Sequence, residues 1–314
     1  MDVDAVLAGV RARERRAVAR AISLVESRGD DGRRVARELH PSTGGALRIG
    51  ITGSPGVGKS TLIGALVAYL RAAEKTVAVV SVDPTSPFTK GAVLGDRIRL
   101  VDHFLDSGVF IRSMASRGHL GGLSEATAGA VLVLDAAGYD VILVETVGSG
   151  QNEVEVQALT ETVVLALMPG SGDSIQAIKA GLMEIPDVVV INKADKPGAD
   201  ILRAELEATM SLVPSGPWAP PIVPTQADTG VGIPGVWDAI ERHRAHLAEG
   251  TNMAERRRNG LRRQLRALTL DRLGRQLDAA CDDASLDALA DQIGGRTLDP
   301  DSAVDQVVQR LRAS

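Results

Sequence analysis

"GITGSPGVGKST", residues 50–61, decides how the rest of the chain is read. It follows a short β-branched run and opens an amphipathic stretch, the strand–turn–helix setting that a phosphate-binding loop requires. Gly53, Gly58, Lys59 and Ser60 match G-x-x-x-x-G-K-[ST]. Glycines let successive backbone N–H groups converge on a phosphate without Cβ clashes. Lys59 brings positive charge to the β- and γ-phosphates, Ser60 a hydroxyl for Mg2+, and the helix its positive end. The candidate phosphate-binding run is therefore Gly53, Ser54, Pro55, Gly56, Val57, Gly58, Lys59, Ser60 and Thr61.

Outward from this loop the pattern extends in both directions. Residues 1–40 read as helices, with Val18, Ile22 and Val25 at helical spacing among Arg and Glu. "HPSTGGA" at 40–46 breaks that pattern as a linker. From 46 to about 245 come the runs "LRIGIT", "TVAVVSV", "VFIRS", "DVILVE", "TVVLALM", "DVVVIN" and "PIVPT", separated by helical stretches. Several are apolar at nearly every position, which predicts a parallel sheet covered on both faces. Beyond about 254 the chain reads as helical to its end. Leu261, Leu265, Leu268, Leu273 and Leu277 form one apolar stripe, and Val304, Val307, Val308 and Leu311 a second. Asp299 and Pro300 suit the start of the last helix. The two stripes need a partner surface, either the sheet domain or another subunit. The expected organisation is a helical segment and linker at 1–45, a nucleotide-binding α/β domain at 46–245 and a helical arm at 246–314.

Three further stretches carry chemistry. "VVVINKAD" places Asn192, Lys193 and Asp195 after an apolar strand. A carboxylate there accepts from both the ring N–H and the amino group of guanine; adenine leaves it unmatched, and an unmatched buried polar group discriminates strongly. "TQADTGVG", 225–232, offers Gln226 and Ala227 as a backbone loop closing over the base. "VILVETVGSGQNE", 141–153, ends a strand in Glu145, where small GTP-binding proteins carry Asp. Mg2+ takes oxygen ligands, often through water, and Asp83, Asp96 and Glu145 are the carboxylates near strand ends or loops that suit it. Asp83 also fits a turn before Pro84, and Asp96 a plain surface position. Gly148 permits a backbone N–H to approach a γ-phosphate.

The 314 residues are 44% hydrophobic and 24% charged, a globular composition, with aromatics at only 2%, so Val, Leu, Ile and Ala must build the core. A net charge of −5 gives no basic footprint for nucleic acid, and the basic clusters Arg256–Arg258 and Arg262–Arg263 read as a solvated helix face. The single cysteine, Cys281, excludes a disulfide framework and a cysteine-cluster metal site. No apolar run approaches the roughly 20 residues that span a bilayer, and no signal peptide is evident. A cytoplasmic protein without membrane contact is expected.

Taken together, "GITGSPGVGKSTLI", "VDPTSPFTKGAVLGDR", "GHLGGLS", "VETVGSGQNE", "PGSGDSIQAIKAG" and "INKAD" resemble the MeaB-type GTPases, also called ArgK or LAO/AO transport ATPases. These are chaperones of adenosylcobalamin-dependent acyl-CoA mutases. The resemblance implies an α/β P-loop G domain of the SIMIBI type, with N-terminal helices and a C-terminal helical dimerisation extension. It also implies GTP/GDP and Mg2+ as ligands, and a homodimer. Ser60, Asp83, Asp96 and Glu145 would surround Mg2+; Asn192, Lys193 and Asp195 would read guanine. Lys59, Glu145, Gly148 and Gln151 would form the catalytic set, and Asp173 and Lys179, in the segment 169–181, would couple nucleotide state to the mutase. One mild departure is "SGQNE", where relatives often carry a small apolar residue and Ser. A nickel- or zinc-type metallochaperone GTPase is the first alternative, but it needs His tracts or Cys pairs, and here there are five His, His119 among them, and one Cys. A ParA- or MinD-like ATPase needs an extra Lys where Ser54 and Pro55 stand. A signal-recognition GTPase needs a Met-rich domain, and the chain has six Met. A transport-linked kinase lacks an identifiable phosphoacceptor.

Overall fold

The computed structural model describes residues 2–27, 29–83, 103, 105–115, 125–146, 153–171, 186–212, 217–250 and 252–313. These fall into two compact units, Met1–Arg262 and Arg263–Ser314.

All seven β-branched runs form strands: β1 Leu47–Thr52, β2 Val77–Asp83, β3 Val109–Ala115, β4 Val141–Thr146, β5 Thr162–Leu167, β6 Val188–Ile191 and β7 Ile222–Pro224. They make one sheet in the order β3-β2-β4-β1-β5-β6-β7, and every pairing is parallel. Parallel strands need crossovers, and the crossover helices cover both faces. This explains why β1, β4 and β5 contain almost no exposed position.

One face is covered by α1 Val3–Arg11, α2 Arg15–Ser27, α3 Asp30–Leu39 and α5 Glu125–Ala136. Val18, Ile22 and Val25, expected on one helix face, are buried with Ala78, Ile142 and Val144 of the sheet in one core. The N-terminal helices thus share a core with the strands. The linker after α3 is anchored by Asp135 of α5, whose carboxylate accepts from the backbone N–H groups of Gly44, Gly45 and Ala46 at 2.7–3.0 Å. The other face is covered by α4 Lys59–Ala72 and α8 Ile233–Ala248, packed over β1, β5 and β6. A smaller cluster joins β5 and β6 to α7 Ala199–Leu212. α6, Glu153–Leu159, leads into β5.

The C-terminal helices are α9 Asn252–Ala280, α10 Asp283–Gly294 and α11 Pro300–Ala313. Asp299 caps α11, accepting from the Ser302 N–H at 3.0 Å. Of the two expected apolar stripes, Leu261, Leu265, Leu273 and Val304 are largely exposed. Among the described residues no helix is long and apolar enough to cross a membrane.

Candidate functional site

The site is built where the C-terminal ends of β1, β4, β5 and β6 meet the N-terminus of α4. In open parallel sheets this edge is where ligands bind, because the order of strands reverses there and leaves a crevice. β1 lies centrally, and the loop 53–58 springs from it. Gly53 has φ 142° and lies so close to the Ala166 carbonyl that a Cβ would clash. Gly58 has φ 95°, and the Asn192 side-chain nitrogen fills the space a Cβ would need. Both positions admit only glycine, so the first and last glycines of the motif are fixed by packing as well as by phosphate access.

Lys59 is buried and turns back over the loop, donating to the carbonyls of Gly53 at 2.7 Å and Ser54 at 3.1 Å. Ser60, one residue on, donates its hydroxyl to Glu145 Oε1 at 2.9 Å. The other carboxylate oxygen, Oε2, accepts from Ser81 Oγ at 3.0 Å. Glu145 is only 3% exposed, and Ser60 and Ser81 are buried with it. Beside it, Thr146 donates to Thr52 Oγ1 at 3.1 Å and closes the end of β4 onto β1. A lysine ammonium and a serine hydroxyl in the first turn of α4 thus meet the phosphate loop and a carboxylate of β4. Such a donor set, hard oxygens with a neighbouring cation, fits Mg2+ and a polyphosphate.

The segment after β6 meets the same loop from the other side. Asn192 is 2% exposed and braces three elements. Its amide nitrogen donates to the Val57 carbonyl at 2.8 Å, and Oδ1 accepts from Thr225 Oγ1 at 3.2 Å and the Ala227 N–H at 3.1 Å. Lys193, with φ 56°, reaches across to the Gly56 carbonyl at 2.8 Å. A turn closed by Lys196 N–H on the Lys193 carbonyl at 3.0 Å leaves Asp195 exposed on its outside. The loop after β7 is held by Gln226 N–H on the Val231 carbonyl at 2.9 Å, with Gly232 in the left-handed region against the Pro224 carbonyl. Gln226 and Ala227 thus join the site through their backbone.

Of the candidate residues, the structure brings together the loop 53–61, Glu145, Asn192, Lys193 and Ala227, with Gln226 beside Ala227 in the chain; Asp195 follows Lys193 on an exposed turn. Asp83 ends β2, two positions beyond Ser81, and its side chain lies outside the described positions. Asp96, Gly148, Gln151, Asp173 and Lys179 lie outside the described residues altogether. Ser81 was not among the candidates; its signal in the sequence is a lone hydroxyl inside the run Val77–Val82. A solvated face is likewise not what Arg256–Arg258 form as a group: Arg256 and Arg257 pair with Asp187 and Glu161 in a buried charged cluster at the opposite end of the sheet, which no sequence motif marked. There Asp187 Oδ2 accepts from Arg256 at 2.6 Å and the Val163 N–H at 2.8 Å, while Oδ1 lies 3.3 Å from His243 Nε2. Burial pushes the Asp187 carboxyl up to about 6, against the pull of Arg256 and the Val163 N–H. Burial, with help from Arg256 and His246, brings His243 down to about 3. Neighbouring Glu161 accepts from Arg48 and Arg257.

The comparisons with known proteins accord with this geometry. Residues 18–282 match the family described as methylmalonyl-CoA mutase-associated GTPase MeaB. The chain is 44% identical over 313 residues to a protein of Pyrococcus abyssi named as a candidate GTPase, covering 98% of this chain and 97% of that one. It is 33% identical over 277 residues to the mitochondrial methylmalonic aciduria type A homolog of Mus musculus, covering 81% of this chain and 66% of that one. Among solved structures it is similar to an LAO/AO transport system kinase, at 28% identity and a TM-score of 0.74, over 99% of this chain and 97% of that one.

Proposed function

The chain belongs to the MeaB family of GTPases, and from that premise we propose that it is a GTP-hydrolysing chaperone that gates cofactor loading of an adenosylcobalamin-dependent acyl-CoA mutase and protects that enzyme. The observation that carries the reading is the convergence of Lys59, Ser60 and Glu145 at the end of the central strands. The family's description as mutase-associated, and the methylmalonic aciduria name of one relative, supply the partner class.

Gly53–Thr61 would wrap the phosphates with backbone N–H groups. The Lys59 ammonium, now resting on two loop carbonyls, would exchange them for β- and γ-phosphate oxygens. Ser60, Asp83, Asp96 and Glu145 would hold Mg2+, which when bound supplies positive charge against the leaving phosphate. Glu145 would give up the Ser60 hydroxyl and orient water near the γ-phosphate, with Gly148 and Gln151 completing the set. Asn192 would keep the phosphate loop and the base loop in register, while Lys193, Asp195, Gln226 and Ala227 would bind guanine. Asp195, exposed on its turn, would accept from the guanine ring N–H and amino group. Asp173 and Lys179 would report nucleotide state to the mutase, and the exposed leucines of α9 would face a second copy of this chain in a cytoplasmic homodimer.

The test is cofactor transfer. Adenosylcobalamin loading onto a purified apo-mutase would be followed by its absorbance, with this protein carrying GTP, a non-hydrolysable analogue or GDP. Loading that depends on which nucleotide is bound supports the chaperone reading. Loading that is indifferent to the nucleotide with every mutase tried contradicts it.

A further inference from the structure

We propose that Ser81 is a positioning residue for Glu145, and that this pairing makes use of a glutamate's length, rather than an aspartate's, at position 145 of β4. The proposal rests on the reading of Glu145 given above. Ser81 and Glu145 are register partners on adjacent parallel strands, β2 and β4. Ser81 is 3% exposed and interrupts the otherwise apolar run Val77–Val82, where a Val or Ala would fit the sheet. A hydroxyl buried among apolar neighbours stays only if it is hydrogen-bonded. Here it donates to Glu145 Oε2, while Ser60, from α4, donates to Oε1. Each carboxylate oxygen is thus held by a hydroxyl from a different element, and the carboxylate plane is set by the sheet on one side and by the phosphate loop's helix on the other.

β4 is locked to β1 and β2 on both sides, so the Cα of residue 145 is fixed. An aspartate there would hold its carboxylate one bond nearer the strand and away from Ser60 on the helix. When the Ser60 hydroxyl turns to another ligand, Ser81 keeps the carboxylate aimed at the loop. A site whose orienting group does not move is pre-organised, and orientation rather than affinity is what it supplies.

The experiment compares wild type with Ser81→Ala, Ser81→Thr and Glu145→Asp. Three readouts are taken: Mn2+ uptake by the GDP complex from the electron paramagnetic resonance of free Mn2+, kcat and KM for GTP hydrolysis, and thermal unfolding. Ser81→Ala is expected to lower kcat about tenfold, the effect of losing one hydrogen bond to a charged group. It should weaken Mn2+ uptake severalfold and leave the KM for GTP near wild type. Ser81→Thr, which keeps the hydroxyl, should restore both; Glu145→Asp should resemble Ser81→Ala. If the added methyl prevents Ser81→Thr from folding, Ser81→Ala is combined with Glu145→Ala. Losses no larger than those of Glu145→Ala alone support the proposal, and additive losses overturn it. Wild-type kcat and Mn2+ uptake in Ser81→Ala overturn it too, as does a lowered melting temperature with unchanged uptake. If wild type with GDP takes up no Mn2+, the reading of the whole loop fails, and the Ser81 proposal with it.

Discussion

The side-chain amide of Asn192 ties the phosphate loop at Val57 to Thr225 and Ala227 beyond β7. Removing it leaves a buried carbonyl and a buried N–H without this partner, at about 1–3 kcal/mol each. Asn192→Ala is therefore expected to lower unfolding stability by about 2–6 kcal/mol, read from denaturant midpoints at constant slope. Asp195 differs: it is exposed on its turn. Asp195→Asn should leave stability within about 0.5 kcal/mol of wild type. It should weaken GTP and favour xanthosine triphosphate, whose ring carbonyl suits an amide donor; calorimetry with GTP, ATP and xanthosine triphosphate checks this. Equal wild-type affinity for ATP and GTP would contradict the guanine reading. At this scale the sequence showed which residues belong together but not how their atoms are spent. A four-residue motif marks Asn192 and Asp195 alike, yet only folding decides that one amide faces inward as a brace and the other side chain outward.

At the scale of elements, the strands were legible because β-branched, continuously apolar runs suit a doubly covered parallel sheet. The cluster at the foot of β5 and β6 was not, because its members lie far apart: Arg257 and Glu161 are separated by 96 positions. Its protonation makes a testable prediction. Asp187, raised from 3.8 to about 6, is protonated in the folded chain between about pH 4 and 6, where the unfolded chain has lost that proton. Its contribution to stability therefore falls as pH rises through that window. His243, lowered from 6.5 to about 3, acts oppositely: the unfolded chain binds the proton first, so its contribution is lost as pH falls from 6.5 towards 3. Between about pH 4 and 6 the two largely cancel. Asp187→Asn removes one arm of that balance. Relative to wild type, this variant should lose stability as pH falls from 6 to 4, by up to about 1.4 kcal/mol per pH unit. Parallel stability curves for the two proteins over that range would contradict the assignment.

At the scale of the molecule, α9 starts within the unit Met1–Arg262, which carries the site. Arg256 and Arg257 root it on Asp187 and Glu161 of the sheet. The leucines beyond that root, Leu265 and Leu273 among them, are exposed. The proposed homodimer predicts that replacing both by Glu shifts the sedimentation of the protein towards a single chain while leaving GTP hydrolysis near wild type.

In the proposed mechanism Glu145 turns contact with the mutase into hydrolysis, and steady-state GTP turnover reads this. Wild type and Glu145→Ala would each be measured with and without an adenosylcobalamin-dependent acyl-CoA mutase. Slow turnover of both proteins alone is expected, with clear stimulation of wild type by the mutase. Glu145→Ala is expected to show no stimulation, although its GDP affinity stays near wild type. Stimulation of Glu145→Ala equal to that of wild type would contradict this role.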